Sequence, residues 1–195
     1  MNSLKAHLIS REVLPFYLAL LALGATALLC DAALHWLDAV WVGRWLGIPG
    51  ILLIIGSLGH SLRKHKWITW GQPLKLLRLH EAMAWAGSLL ILVHAGIHFN
   101  AFLGWLAVWA MLITVASGLT GKFLLKRARS RLDAARQGMQ QQGLSEAQMA
   151  EQTYWDSMAL DIIKQWRAIH LPITLAFAVL ALAHIVSILL FWSWK

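Results

Sequence analysis

The sequence predicts an all-α integral membrane helix bundle with about five transmembrane helices, its N-terminus in the cytoplasm and its C-terminus outside. Three observations carry that expectation. Of the 195 residues, 59% are hydrophobic and 13% charged, about half the charged share of an ordinary soluble domain. Five apolar runs are each long enough to cross a hydrocarbon core, which takes roughly 20 residues of helix. Fifteen of the 17 Lys and Arg fall on one side of the topology those runs imply. The composition excludes a disordered tail. The single cysteine, Cys30, excludes a disulfide-stapled module and any Cys-x-x-Cys-His attachment of a c-type haem.

The first run, about Pro15 to Trp36, follows Lys5 and Arg11. It is longer than a signal-peptide core and no clean small-x-small cleavage site follows it, so it reads as a retained helix. The second, about Trp45 to Leu62, is rich in Gly and carries Pro49 in its first turn, where a missing N–H is tolerated. The third runs from about Leu79 to Asn100, the fourth from Gly104 to Leu125, and the fifth from Ile169 to Trp192 with Pro172 at its start. None alternates, so strands are excluded.

Five basic residues stand between spans two and three and eight from Lys122, at the inner end of span four, to Arg167 before span five, and only Arg44 and Lys195 fall on the opposite side. The positive-inside rule then sets the orientation. The basic residues lie in short segments between apolar runs instead of on a soluble module, so they are a topology signal and imply a lipid membrane, not nucleic acid. Trp36, Trp41, Trp45, Trp105, Trp109, Trp192 and Trp194 would form an outer aromatic belt, and Trp67, Trp70, Trp155 and Trp166 an inner one.

Residues 1–195 read as one membrane domain, with 126–165 as a cytoplasmic helical insertion between spans four and five. Its polar first half extends the fourth helix to Gly143. Ser145 and Gln148 form a capping box that opens a second helix running to Trp166.

Nine histidines in so apolar a chain need a reason, because an ionisable side chain at membrane depth is expensive. His80 and His94 lie 14 residues apart on the third span, and His170 and His184 lie 14 apart on the fifth. Fourteen residues of α-helix is four turns less about 40°, with a rise of about 21 Å. Each pair therefore shares a helix face, and the two spans run in the same direction. His80 would face His170 at the cytoplasmic level and His94 would face His184 at the outer level. Two imidazoles on facing helices can clamp an iron porphyrin from both sides, so the spacing implies two stacked bis-His haems. The other readings of such residues are a satisfied polar histidine between helices and a proton relay.

Gly87, seven residues from both His80 and His94, would leave room for a flat macrocycle, or serve plain helix packing. Arg78 and Arg167 would pair with haem propionates, or snorkel to the interface. His98 fits a quinone or propionate contact, or an interfacial polar residue. His7, His35, His60 and His65 are not expected to be ligands. Glu81 would handle protons or complement Arg78. No nucleotide-binding, nucleophile or zinc motif is present.

The segments RLHEAMAWAGSLLILVH (78–94) and RAIHLPITLAFAVLALAH (167–184) resemble the ferric reductase-like transmembrane cytochromes b, the superfamily of the membrane parts of NADPH oxidases and ferric reductases. A similar two-helix, four-His scheme occurs in cytochrome b of the quinol-oxidising bc complexes. The resemblance covers about residues 45–195, and its specific content is the four His. It implies that His80 and His170 hold an inner b haem and His94 and His184 an outer one. Two departures stand out: the fused flavin and nicotinamide domain of the oxidases and the quinol-site motifs of the bc cytochromes are missing here.

The expectation is therefore a di-haem b-type subunit of a bacterial inner-membrane oxidoreductase complex. It would pass electrons between a membrane quinone and a peripheral flavin or iron–sulfur subunit docked on the cytoplasmic helices with Trp155 and Trp166. The rivals are a transporter subunit with His relays and a non-redox anchor for a peripheral enzyme. A one-haem version is a variation on the same reading.

Overall fold

A computed structural model describes residues 14–97 and 101–191, and among them there are helices and turns but no strand. The order is α1 (Leu14–Trp36), α2 (Val40–Trp45), α3 (Gly47–Ser57), α4 (Gly59–Lys64), α5 (Pro73–Ile97), α6 (Phe102–Leu119), a π-helical segment π1 (Thr120–Leu125), α7 (Lys126–Gln141), α8 (Glu146–Gln152), α9 (Tyr154–Ala168) and α10 (His170–Phe191).

Five stretches are long and apolar enough to cross a membrane: α1; α2 to α4 taken together; α5; α6 through α7; and α9 with α10. Leu28, Leu29, Leu182 and Leu190 are exposed. Such a surface suits a chain whose solvent is lipid, where side chains of this kind need no protein cover. The expected ends of spans three and five, Asn100 and Trp192, lie outside the described residues, as do Lys5, His7, Arg11, Trp194 and Lys195.

The chain divides into two compact units: residues 14–20 with 116–174, and residues 21–115 with 175–191. In the second unit, α3 lies along α5. A Cβ built on Gly87 would meet the Gly50 carbonyl oxygen at 2.8 Å, and one built on Gly50 would meet the Gly87 oxygen at 3.1 Å. Backbone is against backbone, the close approach that small residues allow between membrane helices. Beside this crossing, Ala107 and Met111 of α6 and Phe177 of α10 form a buried core, walled by Ile51 and Ile54 of α3 and Ile91 and Leu92 of α5.

The second span is broken twice. Pro49 has no N–H for the Trp45 carbonyl and its ring crowds that oxygen, so α2 ends at Trp45 and Pro49 sits in the first turn of α3. At the far end, Ser57 Oγ donates to the Ile54 carbonyl at 2.7 Å. Leu58 N bonds Ile55 O at 3.0 Å, a tight three-residue step, before Gly59 restarts the helix as α4. A helix end leaves its last carbonyls without intrahelical donors. Each break thus releases carbonyls inside the span.

In the first unit, α6 runs through π1 into α7. Leu125, Leu132 and Leu160 form its core with Ala128 and Ile163. Gly143, at φ +74°, ends the long helix where the sequence predicts, because glycine adopts this left-handed conformation without a Cβ clash. The Ser145–Gln148 capping box is formed as expected. The helix it opens is not continuous, however. The buried Thr153 donates its hydroxyl to Met149 O at 2.8 Å, and this β-branched, back-bonding residue caps α8 and separates it from α9. Leu160 and Ile163 of α9 face the core, while Trp155, Met158, Ile162 and Trp166, on the opposite side, are exposed.

The Gly50–Gly87 contact gives a test. Gly87→Ala should cost about 1–3 kcal/mol through overpacking and lower the thermal midpoint in detergent. Gly24→Ala, where nothing lies within 4 Å of the added carbon, should be neutral or stabilise by about 0.5–1 kcal/mol. Equal effects at the two sites would refute the packing role of Gly87.

Candidate functional site

Each of the four paired histidines is partly buried. His80 and His94 sit within α5, His184 sits within α10, and His170 is the first residue of α10. His94 and His184 come together in the second unit, with ring centroids 6.5 Å apart and planes inclined at 65°. A metal shared by two imidazoles stands about 2 Å from each nitrogen, and with each ring centre roughly 1 Å further back the centroids would lie about 6 Å apart. A glycine stands beside each ring, and the one beside His94 leaves the less room for a side chain. A Cβ on Gly47 would lie 3.0–3.1 Å from His94 ring atoms, and one on Gly104 would lie 3.4 Å from His184 Cε1.

Span two fixes the two histidines of α5. His94 Nδ1 donates to the Gly43 carbonyl at 3.3 Å, and His80 Nδ1 donates to the Ser57 carbonyl at 3.0 Å. Gly43 and Ser57 are in the last turns of α2 and α3, at the two breaks described above. They are 14 residues apart, matching the spacing of His80 and His94 on the antiparallel helix. A carbonyl only accepts, so Nδ1 carries the hydrogen and Nε2 carries the lone pair. Metal-ligating histidines are oriented in this way by a second partner on the other ring nitrogen.

In the first unit, Ser117 Oγ lies 2.6 Å from His170 Nδ1. The His170 backbone oxygen accepts from Thr174 Oγ1, also at 2.6 Å, and a Cβ on Gly118 would lie 3.6 Å from His170 Cε1. His170 thus belongs to the first unit and His80 to the second.

Of the surrounding residues expected from sequence, Gly87 has its contacts with Gly50 and Ile54, the packing use among the two readings it admits. Arg78 is exposed and Glu81 is partly buried. The side chain of Arg167, and His98 as a whole, lie outside the described residues.

Sequence reasoning passed over several groups. Gly43 and Ser57 act through backbone oxygens and carry no residue signature beyond the Gly, Pro and Ser interruptions of span two. Gly47, Gly104, Gly118 and Ser117 contact histidines that are remote in sequence. His60, set aside as a non-ligand, packs on His80 with centroids 5.9 Å apart, and its Nδ1 is buried without a hydrogen-bond partner. Asp31 has a buried Oδ1 that also lacks a hydrogen-bond partner. That carboxylate lies over Gly96 of α5, with His35 Nδ1 at 3.6 Å. Among the described residues, no group of three or more His, Cys, Asp or Glu is placed to share a metal ion.

Comparison with protein families, with curated proteins and with solved structures finds no match to this chain.

The carbonyl bonds make a prediction. Nitrogen-15 spectra of histidine-labelled protein should show His80 and His94 as Nδ1–H tautomers at neutral pH. Nε2–H signals for both would refute the bonding pattern.

Proposed function

We propose that the chain is a di-haem b-type membrane cytochrome subunit. It carries electrons across the bilayer between a membrane quinone pool and a peripheral flavin or iron–sulfur partner. On this reading it sits in a bacterial inner membrane, N-terminus in the cytoplasm, as the electron-transfer part of an oxidoreductase complex. The observation that carries the reading is the His94–His184 pair: two partly buried rings at 6.5 Å, within reach of one shared metal, with the His94 tautomer fixed by Gly43. His94 and His184 would hold one haem b, and His80 and His170 the other.

Bound haem, held by His94 with His184 and by His80 with His170, would supply one-electron exchange. The remaining work belongs to the chain. The Gly43 and Ser57 carbonyls hold the imidazoles of His94 and His80 in the ligating tautomer. Gly47 keeps a Cβ atom away from the ring of His94. The Ala107–Met111–Phe177 core keeps the middle of the bundle dry, which preserves a low dielectric around any buried redox centre. Arg78 and Arg167 stand two and three residues before the cytoplasmic-level histidines, where propionates would need cations. The exposed Trp155–Trp166 face of α9 is the natural seat for the peripheral redox partner.

The test is optical. The purified protein should show about two b haems per chain in a reduced-minus-oxidised spectrum and pyridine haemochrome. His94→Ala and His184→Ala should remove the same haem, and His80→Ala and His170→Ala the other. A colourless protein would overturn the reading in favour of a histidine relay; loss of different haems from His94 and His184 variants would overturn the pairing.

A further inference from the structure

His170 differs from the two histidines of α5 in what holds it. His80 and His94 lie in mid-helix and bond to backbone carbonyls. His170 is the first residue of α10, with only Ile169 between it and the end of α9 at Ala168. Its Nδ1 partner is a side chain, Ser117 of α6, at 2.6 Å, and Ser117 is fully buried at 0% exposure. We propose that Ser117 is a positioning residue for the haem that His170 would ligate. It accepts the Nδ1–H hydrogen bond, orients the ring against Gly118, and tunes the electron affinity of that haem alone. The proposal rests on the di-haem reading above.

The direction of the hydrogen bond follows from the helix. Thr114 and Thr120, which flank Ser117 on the same stretch, each give the hydroxyl hydrogen to the carbonyl four residues back, both at 2.9 Å. This is the common habit of hydroxyls inside apolar helices. A serine doing the same turns an oxygen lone pair outward, where it can accept from His170 Nδ1–H. The ring is then the tautomer whose Nε2 donates to a metal, and a hydrogen bond at Nδ1 raises the basicity of that nitrogen. A more basic ligand favours the ferric state, so the hydroxyl holds the midpoint potential of its haem down.

The experiment is a spectroelectrochemical titration of the full-length protein with both haems resolved. Ser117→Ala should raise the midpoint of one haem, the one that His170→Ala removes. An effect of about tenfold, at the lower end of those seen for lost partners of metal-bound histidine, is about 59 mV for one electron. The other haem should keep its potential, which also shows that the variant is folded. Ser117→Thr keeps the hydroxyl and should restore the value. Thr120→Ala, which removes a neighbouring buried hydroxyl that bonds only along its own helix in this scheme, should shift neither haem.

Loss of the His170 haem alone in Ser117→Ala, regained in Ser117→Thr, also supports the proposal. Should Ser117→Ala lose both haems, Ser117→Cys, with a weaker acceptor of similar size, carries the measurement. An upward shift there supports the proposal and an unshifted pair overturns it. Two unchanged potentials in Ser117→Ala overturn the proposal while leaving the di-haem reading intact. A wild-type protein without haem overturns that reading itself.

Discussion

The interaction on which the arrangement turns is the hydrogen bond from an imidazole Nδ1 to a backbone carbonyl at a break in a membrane helix. A carbonyl left without a donor in hydrocarbon costs several kcal/mol, because no water is there to replace the missing bond. Span two has two such breaks, one imposed by Pro49 and one by the Ser57–Gly59 step. Gly43 and Ser57 expose oxygens there, and His94 and His80 of α5 donate to them at 3.3 and 3.0 Å. The bonds work in both directions: the histidines add a donor at each break, beside Leu46 N in the case of the Gly43 oxygen, and they take their tautomer from the breaks. Since both separations are 14 residues, one antiparallel register satisfies both ends at once.

That register depends on packing in between. Roughly midway between the two carbonyl bonds, Gly50 and Gly87 let the α3 and α5 backbones touch. Between membrane helices there is little hydrophobic drive, and fit decides association. A side chain at either glycine would push the helices apart, and bonds of 3.0–3.3 Å have little room to stretch before they fail. Gly87 therefore bears on the histidines through the helix packing it allows. Of the two uses the sequence allows it, packing has the observed contacts.

The coarse architecture is legible because membrane spans obey a strong constraint. Length, apolarity and the absence of alternation place all five helical stretches, and the end of the long helix at Gly143 and the Ser145–Gln148 box follow from local chemistry. The histidine pairs stand out by arithmetic: within one helix, spacing alone says which residues share a face. Less accessible was whatever depends on backbone oxygens or on partners far apart in sequence. Gly43 and Ser57 act through atoms every residue has, and Ser117 meets His170 across 53 positions. The interruption at Thr153 was hidden because a threonine inside an amphipathic pattern signals a break only when its hydroxyl and burial are known. His60 looked peripheral at the end of span two, yet its ring packs on His80.

The bland reading of these histidines, as polar residues satisfied between helices, and the ligand reading are usually set against each other. Here they concern different atoms. Nδ1 of His80 and of His94 does the structural work by satisfying a carbonyl, and that bond is what places the lone pair on Nε2. A histidine that served packing alone would not need a second imidazole at a spacing suited to a shared metal, as His184 is from His94. Nor would packing by itself explain a glycine beside the ring of each of His94, His170 and His184, on two separate helices. Conversely, a ligand with no partner on its other nitrogen would be free to rotate, and metal sites with unsupported histidines are weak. Removing His94 would therefore do two things at once: leave the Gly43 carbonyl with only its backbone donor, Leu46 N at 3.3 Å, and delete a candidate ligand. Changing Ser117 leaves every histidine in place, so it probes the orientation of one imidazole without taking away a proposed iron ligand.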